Sequence, residues 1–107
     1  MKRRHTKTNP FDTSSYDLTT KPKVNELFLI KGKLSDFLIR LVYFIERNLS
    51  KEGETILLVR KEIEFDTKMT ATSVQSAIDE AIERGFLIQK NRNLYWVNPE
   101  LYFNLKK

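Results

Sequence analysis

Met69-Thr70-Ala71-Thr72-Ser73-Val74 opens the stretch that decides the fold of this chain, and Leu94-Tyr95-Trp96-Val97 closes it. Behind Thr70, apolar residues recur at Val74, Ala77, Ile78, Ala81 and Ile82, the spacing of one helix face. Thr70 suits the N-cap, because its hydroxyl can accept from a backbone N–H of the first turn. Gly85 ends the periodic run. Two strand-like runs follow, residues 86–90 and Leu94–Val97, joined by Asn91-Arg92-Asn93. A capped helix, a stopping glycine and a hairpin with a basic polar tip predict a winged helix-turn-helix. That is an α+β fold of about three helices and a small antiparallel sheet with a wing hairpin.

Working outward, Arg60–Thr67 is expected as the helix before the turn. The alternation of Glu62, Ile63, Glu64, Phe65 and Asp66 would also suit a strand. The distance from Ile63 to Val74 matches a helix-turn-helix, and a strand there would leave the next helix without support. Ile56-Leu57-Leu58-Val59 reads as a short strand that pairs with the hairpin. Ser35 caps an earlier helix over residues 35–49, whose stripe of Phe37, Leu38, Leu41, Val42, Phe44, Ile45 and Leu49 belongs to the core. Residues 24–30 are apolar enough for a strand or a turn of helix, ended by Gly32. Asn98-Pro99 ends the second hairpin strand, since proline cannot donate to a ladder. Leu101, Tyr102, Phe103 and Leu105 pack back on the body or on a second subunit. Residues 1–23, polar with isolated Phe11, Tyr16 and Leu18, read as a flexible basic arm, leaving 24–107 as the folded domain.

A chain of 107 residues, 40% apolar and 31% charged, is one modest globular domain. No apolar run approaches the ~20 residues of a membrane span; residues 38–45 are broken by Arg40. The charged start lacks an apolar signal core, and there are no cysteines, so a reducing cytoplasm is expected. The net charge of +5 is local. Residues 1–33 hold eight Lys/Arg and three Asp/Glu, whereas residues 34–107 hold eleven of each. Polyanion attraction follows local cation density, so electrostatic help must come from the arm and a few placed side chains. Lys2, Arg3, Arg4 and Lys7 read either as a DNA-contacting arm or as a solubilising tail.

In a helix-turn-helix the second helix enters the major groove with its N-terminal residues against base edges. Off the apolar stripe lie Ala71, Thr72, Ser73, Gln75, Ser76 and Asp79. Gln75 can bond adenine N6 and N7 through its amide, and a methyl of Ala71 or Thr72 can touch a thymine methyl. Base reading is assigned to Gln75, Thr72 and Ser76, with Ser73 on phosphate; the bland alternative is an ordinary solvated surface helix. Arg92, helped by Lys90, stands where a wing tip reaches the minor groove or flanking phosphates. Arg60 and Lys61 add phosphate contacts from the flank. Asp79, Glu80 and Glu83 oppose this reading, since acidic later turns repel phosphates; they are accommodated if only the first two turns insert.

Catalysis finds little support. His5 is the sole histidine, the acidic groups Glu62/Glu64/Asp66 and Asp79/Glu80/Glu83 read as solvated faces, and no Gly-rich phosphate loop exists. Neither an enzyme nor a metal or cofactor site is expected.

The chain also resembles a known pattern. It runs through Arg60-Lys61-Glu62-Ile63, Met69-Thr70 to Val74, Arg84-Gly85-Phe86-Leu87-Ile88 and Leu94-Tyr95-Trp96-Val97-Asn98-Pro99. These residues are similar to the winged-helix region of RepL-type replication proteins of Firmicute plasmids, in one register from Arg60 to about Phe103. The closing Tyr95-x-Val97-Asn98-Pro99 favours that family over the many regulators that share a helix-turn-helix. The resemblance implies a DNA-binding protein of plasmid or mobile-element replication, with Thr72, Ser73, Gln75 and Ser76 on the recognition helix and Arg92 on the wing. Lys68 stands where such turns commonly have glycine, so a positive φ costing ~1 kcal/mol is expected there.

Three functions are therefore carried forward. The first is sequence-specific binding of double-stranded DNA in replication. The second is transcriptional regulation through the same contact. The third is a module that binds replication or transcription proteins through the acidic end of the helix. A membrane partner is not expected. A homodimer would take its seam from residues 24–30 or from 101–105.

Overall fold

The computed structural model describes residues 7–107. Among them, four α-helices and a three-stranded antiparallel sheet follow one another in a single order. Helix α1 is Glu26–Lys31, α2 is Asp36–Asn48, strand β1 is Thr55–Leu57, α3 is Arg60–Thr67 and α4 is Ala71–Glu83; β2, Leu87–Asn91, and β3, Leu94–Val97, form the hairpin. A 3-10 turn, Pro99–Leu101, follows. The sheet order is β1-β3-β2. The α+β class is the one expected, and the sequence of elements from α2 to β3 is consistent with a winged helix.

Helix boundaries follow local chemistry. The Ser35 hydroxyl caps α2 by accepting from the Leu38 N–H, and the Thr70 hydroxyl caps α4 by accepting from Ser73. Between α3 and α4, Lys68 adopts φ 61°, the left-handed conformation expected of it. Its N–H donates to the Glu64 carbonyl, and Met69 then turns into the core. At the end of α4 the Phe86 N–H reaches back to the Ala81 carbonyl and the Gly85 N–H to that of Ile82. This double closure needs the left-handed φ of 77° at Gly85. Arg60–Thr67 is a helix, not a strand, since only helical spacing buries Ile63 while leaving Glu62, Phe65 and Asp66 outside.

The core sits where α2, α3 and α4 meet the inner face of the sheet. Leu38, Leu41, Val42, Ile63, Val74, Ala77, Leu87 and Val97 are all but inaccessible there. A fully buried aliphatic side chain of this kind contributes about 1.5–3 kcal/mol. Phe37, assigned to the core stripe, is instead 42% exposed: its angle on α2 lies between those of the buried Phe44 and Leu41, and it differs from them in standing in the first turn, at the helix end. Strand β1 begins and ends earlier than the expected 56–59. Thr55 exchanges hydrogen bonds with Ser50 across the preceding turn, while Val59 already serves as the N-cap of α3. Residues 24–30 resolve into α1, capped by Asn25.

The C-terminal segment packs back on the body. Leu101, Tyr102 and Phe103 are buried, and the Tyr102 hydroxyl donates to the Val42 carbonyl at 2.7 Å. Burial, with Glu46 nearby, pushes that phenol well above its ordinary range. Leu105 is exposed, yet its backbone bridges to Tyr16, and Leu18 packs against the core. No helix among the described residues is long and apolar enough to cross a membrane.

Candidate nucleic-acid interface

Helix α4 has two unlike ends. Its first two turns expose Ala71, Thr72 and Ser76, with Ser73 and Gln75 half-buried beside them. Thr72 and Ser76 make no side-chain hydrogen bond among the described residues, so their hydroxyls are available to an outside partner. Ser73 is partly engaged, accepting at 3.0 Å from the Thr70 hydroxyl. The Gln75 amide donates to Asp79 Oδ1 at 3.0 Å, which holds it along the helix. An adenine contact would therefore compete with that bond.

The later turns are turned inward by chemistry that local sequence does not show. Glu80 accepts from the Ser35 hydroxyl at 2.5 Å and from Arg84 Nε at 3.0 Å. Arg84 continues to the Gly32 carbonyl at 2.7 Å. A single carboxylate thus joins the cap of α2 to α4, and its arginine partner grips the turn after α1. Burial alone would raise the Glu80 carboxyl, but the hydrogen bonds from Ser35 and the contact with Arg84 outweigh it and lower it below the usual value of 4.5. Glu80 does not belong to an acidic outer face. Of the three carboxylates expected there, Asp79 and Glu83 alone are exposed.

The hairpin places Arg92 and Asn93 in its turn, with Asn93 at φ 65° and both exposed. Asn91 joins β2 instead of the tip. Gln89 pairs with Tyr95 but Asn91 pairs with Leu94, so Lys90 is an extra residue bulged out of the register. Its ammonium lies 4.4 Å from the centre of the Trp96 ring. Lys90 thereby covers a tryptophan face as well as lending charge to the hairpin.

Arg60 and Lys61 occupy the exposed first turn of α3. They are tied to the hairpin by one backbone bond, from the Leu58 N–H to the Asn93 carbonyl at 2.7 Å. That bond lies two residues before Arg60 and one beyond Arg92, so it sets the backbone leading into α3 beside the hairpin turn. Arg3 and Arg4 lie outside the described residues.

Against known families, the model of the Firmicute plasmid replication protein (RepL) matches residues 23–107. The chain belongs to the RepL family. The match is longer than the Arg60–Phe103 register that first pointed to it, taking in α1, α2 and the C-terminal segment. Membership places this RepL-family chain among proteins related to plasmid replication. No curated protein and no solved structure matched it.

Two features of this region escaped sequence reading. The Glu80–Ser35 bond joins residues 45 positions apart, and the only hint was a serine cap with no obvious acidic partner of its own. The stacking of Lys90 on Trp96 depends on the bulge, which strict strand alternation does not predict.

Proposed function

We propose that this RepL-family protein binds double-stranded DNA sequence-specifically in plasmid replication, inserting the first two turns of α4 into the major groove. The observation that carries this reading is the pair of exposed, unengaged hydroxyls of Thr72 and Ser76 on a helix whose entry is fixed by the Thr70 cap and the Lys68 turn. Thr72 and Ser76 contact bases, Ser73 contacts phosphate, and Gln75 reads adenine when its bond to Asp79 opens. Arg92 reaches the minor groove or flanking phosphates, with Lys90, Arg60 and Lys61 adding phosphate contacts. Arg3 and Arg4 extend the contact along the backbone.

Reading by a protein partner at the end of α4 is less well supported, because Glu80 is engaged internally. Selection of bound duplexes from a random pool, followed by titration of the winner at two salt concentrations, tests the proposal. A single recovered motif, bound more weakly as salt rises, is expected. Recovery of no motif, or binding indifferent to salt, would refute it.

A further inference from the structure

Helix α1 is the one helix of the four that buries no residue, and it is tied to the body at its two ends and by one ring contact. Its Phe28 ring meets Phe86 edge-on at 6.0 Å, the Asn25 N–H donates to the Leu101 carbonyl at 2.7 Å, and Arg84 holds the Gly32 carbonyl at its end. Phe28 and Leu29 face inward. Glu26, Leu27, Ile30 and Lys31 face solvent, with Leu27 59% and Ile30 75% exposed. Neither Glu26 nor Lys31 has a side-chain partner among the described residues.

At 100° per residue these four side chains follow one another around the helix as Glu26, Ile30, Leu27 and Lys31. The apolar pair is central and the opposite charges stand at the two edges. Along the axis Glu26 and Lys31 are at opposite ends as well, so the charged diagonal crosses the apolar diagonal. A two-fold axis lying along the apolar diagonal leaves Leu27 and Ile30 each facing its own copy. The same operation sets Glu26 against the partner's Lys31, and Lys31 against the partner's Glu26. This self-complementarity is what an isologous interface requires.

We propose that the outer face of α1 is a self-association surface, and that its occupant is a second copy of this chain with the two helices crossing at a two-fold axis. The alternative seam at residues 101–105 is consumed by the fold, since Leu101, Tyr102 and Phe103 are buried in the chain's own core. A face of one short helix falls well below the ~800 Å² per partner of standard stable interfaces, so the pairing is weak in free solution. It becomes effective when two chains are held together on one DNA, where tethering raises the local concentration. Because α1 is tied to the end of α4 through Arg84 and Phe86, pairing also brings the two α4 helices to one side of the pair.

The chain's lack of cysteine supplies a test that needs no DNA and so stands apart from the DNA-binding proposal. Ile30→Cys and Phe65→Cys place a thiol at equally open helix positions, 75% and 79% exposed in the parent. Under mild oxidation of the full-length protein, Ile30→Cys should form disulfide-linked dimer about tenfold faster, reflecting its higher effective concentration. Adding Glu26→Lys should slow that reaction about threefold, the scale of an exposed ion pair, and adding Lys31→Glu as well should restore it. Both reversals oppose the helix dipole, so an effect on α1 alone would make the double variant the slowest. Thermal melts of each variant confirm the fold. Equal rates for the two cysteines, or a double reversal slower than the single, would overturn the proposal.

Discussion

The two halves of α4 share one apolar stripe and one helix geometry, yet their polar residues have opposite jobs. In the first two turns, Thr72 and Ser76 are exposed and bonded to nothing among the described residues. Two turns later, Glu80 and Arg84 spend their hydrogen bonds on Ser35 and Gly32, fastening the helix to α2 and to the end of α1. Polar character alone does not mark a binding surface. What separates the halves is whether each group already has a partner.

The largest effect should come from the fastened half. Glu80→Ala leaves the Ser35 hydroxyl and the Arg84 guanidinium without their acceptor and should cost about 2–3 kcal/mol of stability in denaturant unfolding. Thr72→Ala and Ser76→Ala, by contrast, should stay within about 0.5 kcal/mol of the parent. A comparable loss at Thr72 would erase the distinction between the halves. Gly85→Ala comes next, at about 1–2 kcal/mol in the same assay, since an L-residue must then hold φ 77°.

The pH dependence sharpens the contrast further. The Glu80 carboxyl is lowered by folding, so its stabilisation is fully present above its ordinary value of 4.5 and disappears as pH falls through the lower folded value. Melting curves of the parent and of Glu80→Gln should therefore converge on acidification over that range. Curves that stay parallel would remove Glu80 from its assigned place. The smallest change is a gain. Lys68→Gly relieves the left-handed strain in the turn before α4 and should stabilise the chain by about 0.5–1 kcal/mol in the unfolding assay.

Much of the local structure around α4 was legible in sequence because its signals are local. Thr70 followed by Ser73, Lys68 in the turn, Gly85 after the last apolar residue and Asn93 at the tip each act within a few positions. The helical state of α3 was read from the distance between Ile63 and Val74, and the burial of Ile63 with Phe65 left exposed agrees with it. The fastened half was not legible, because Ser35 and Gly32 reach it only after α1 and α2 have packed. Glu80 consequently read as one of three repulsive carboxylates, when it is a bond across the core's edge. The same limit hid the surface of α1. Its short apolar run was visible, but whether Leu27 and Ile30 faced inward depended on Phe28 and Leu29 taking the inner side. Lys90 was correctly placed beside the hairpin tip, whereas its seat over Trp96 followed from one inserted residue.

In the proposed DNA complex, base reading along α4 is confined to its opening turns. Anisotropy titration of the selected duplex with Thr72→Ala/Ser76→Ala and with Glu83→Gln tests this. The double variant should lose about tenfold or more in affinity for the selected sequence while its melting temperature stays near the parent's. Glu83→Gln should keep the parent's preference for that sequence over a scrambled one. Unchanged affinity in the double variant, together with lost preference in Glu83→Gln, would contradict the claim.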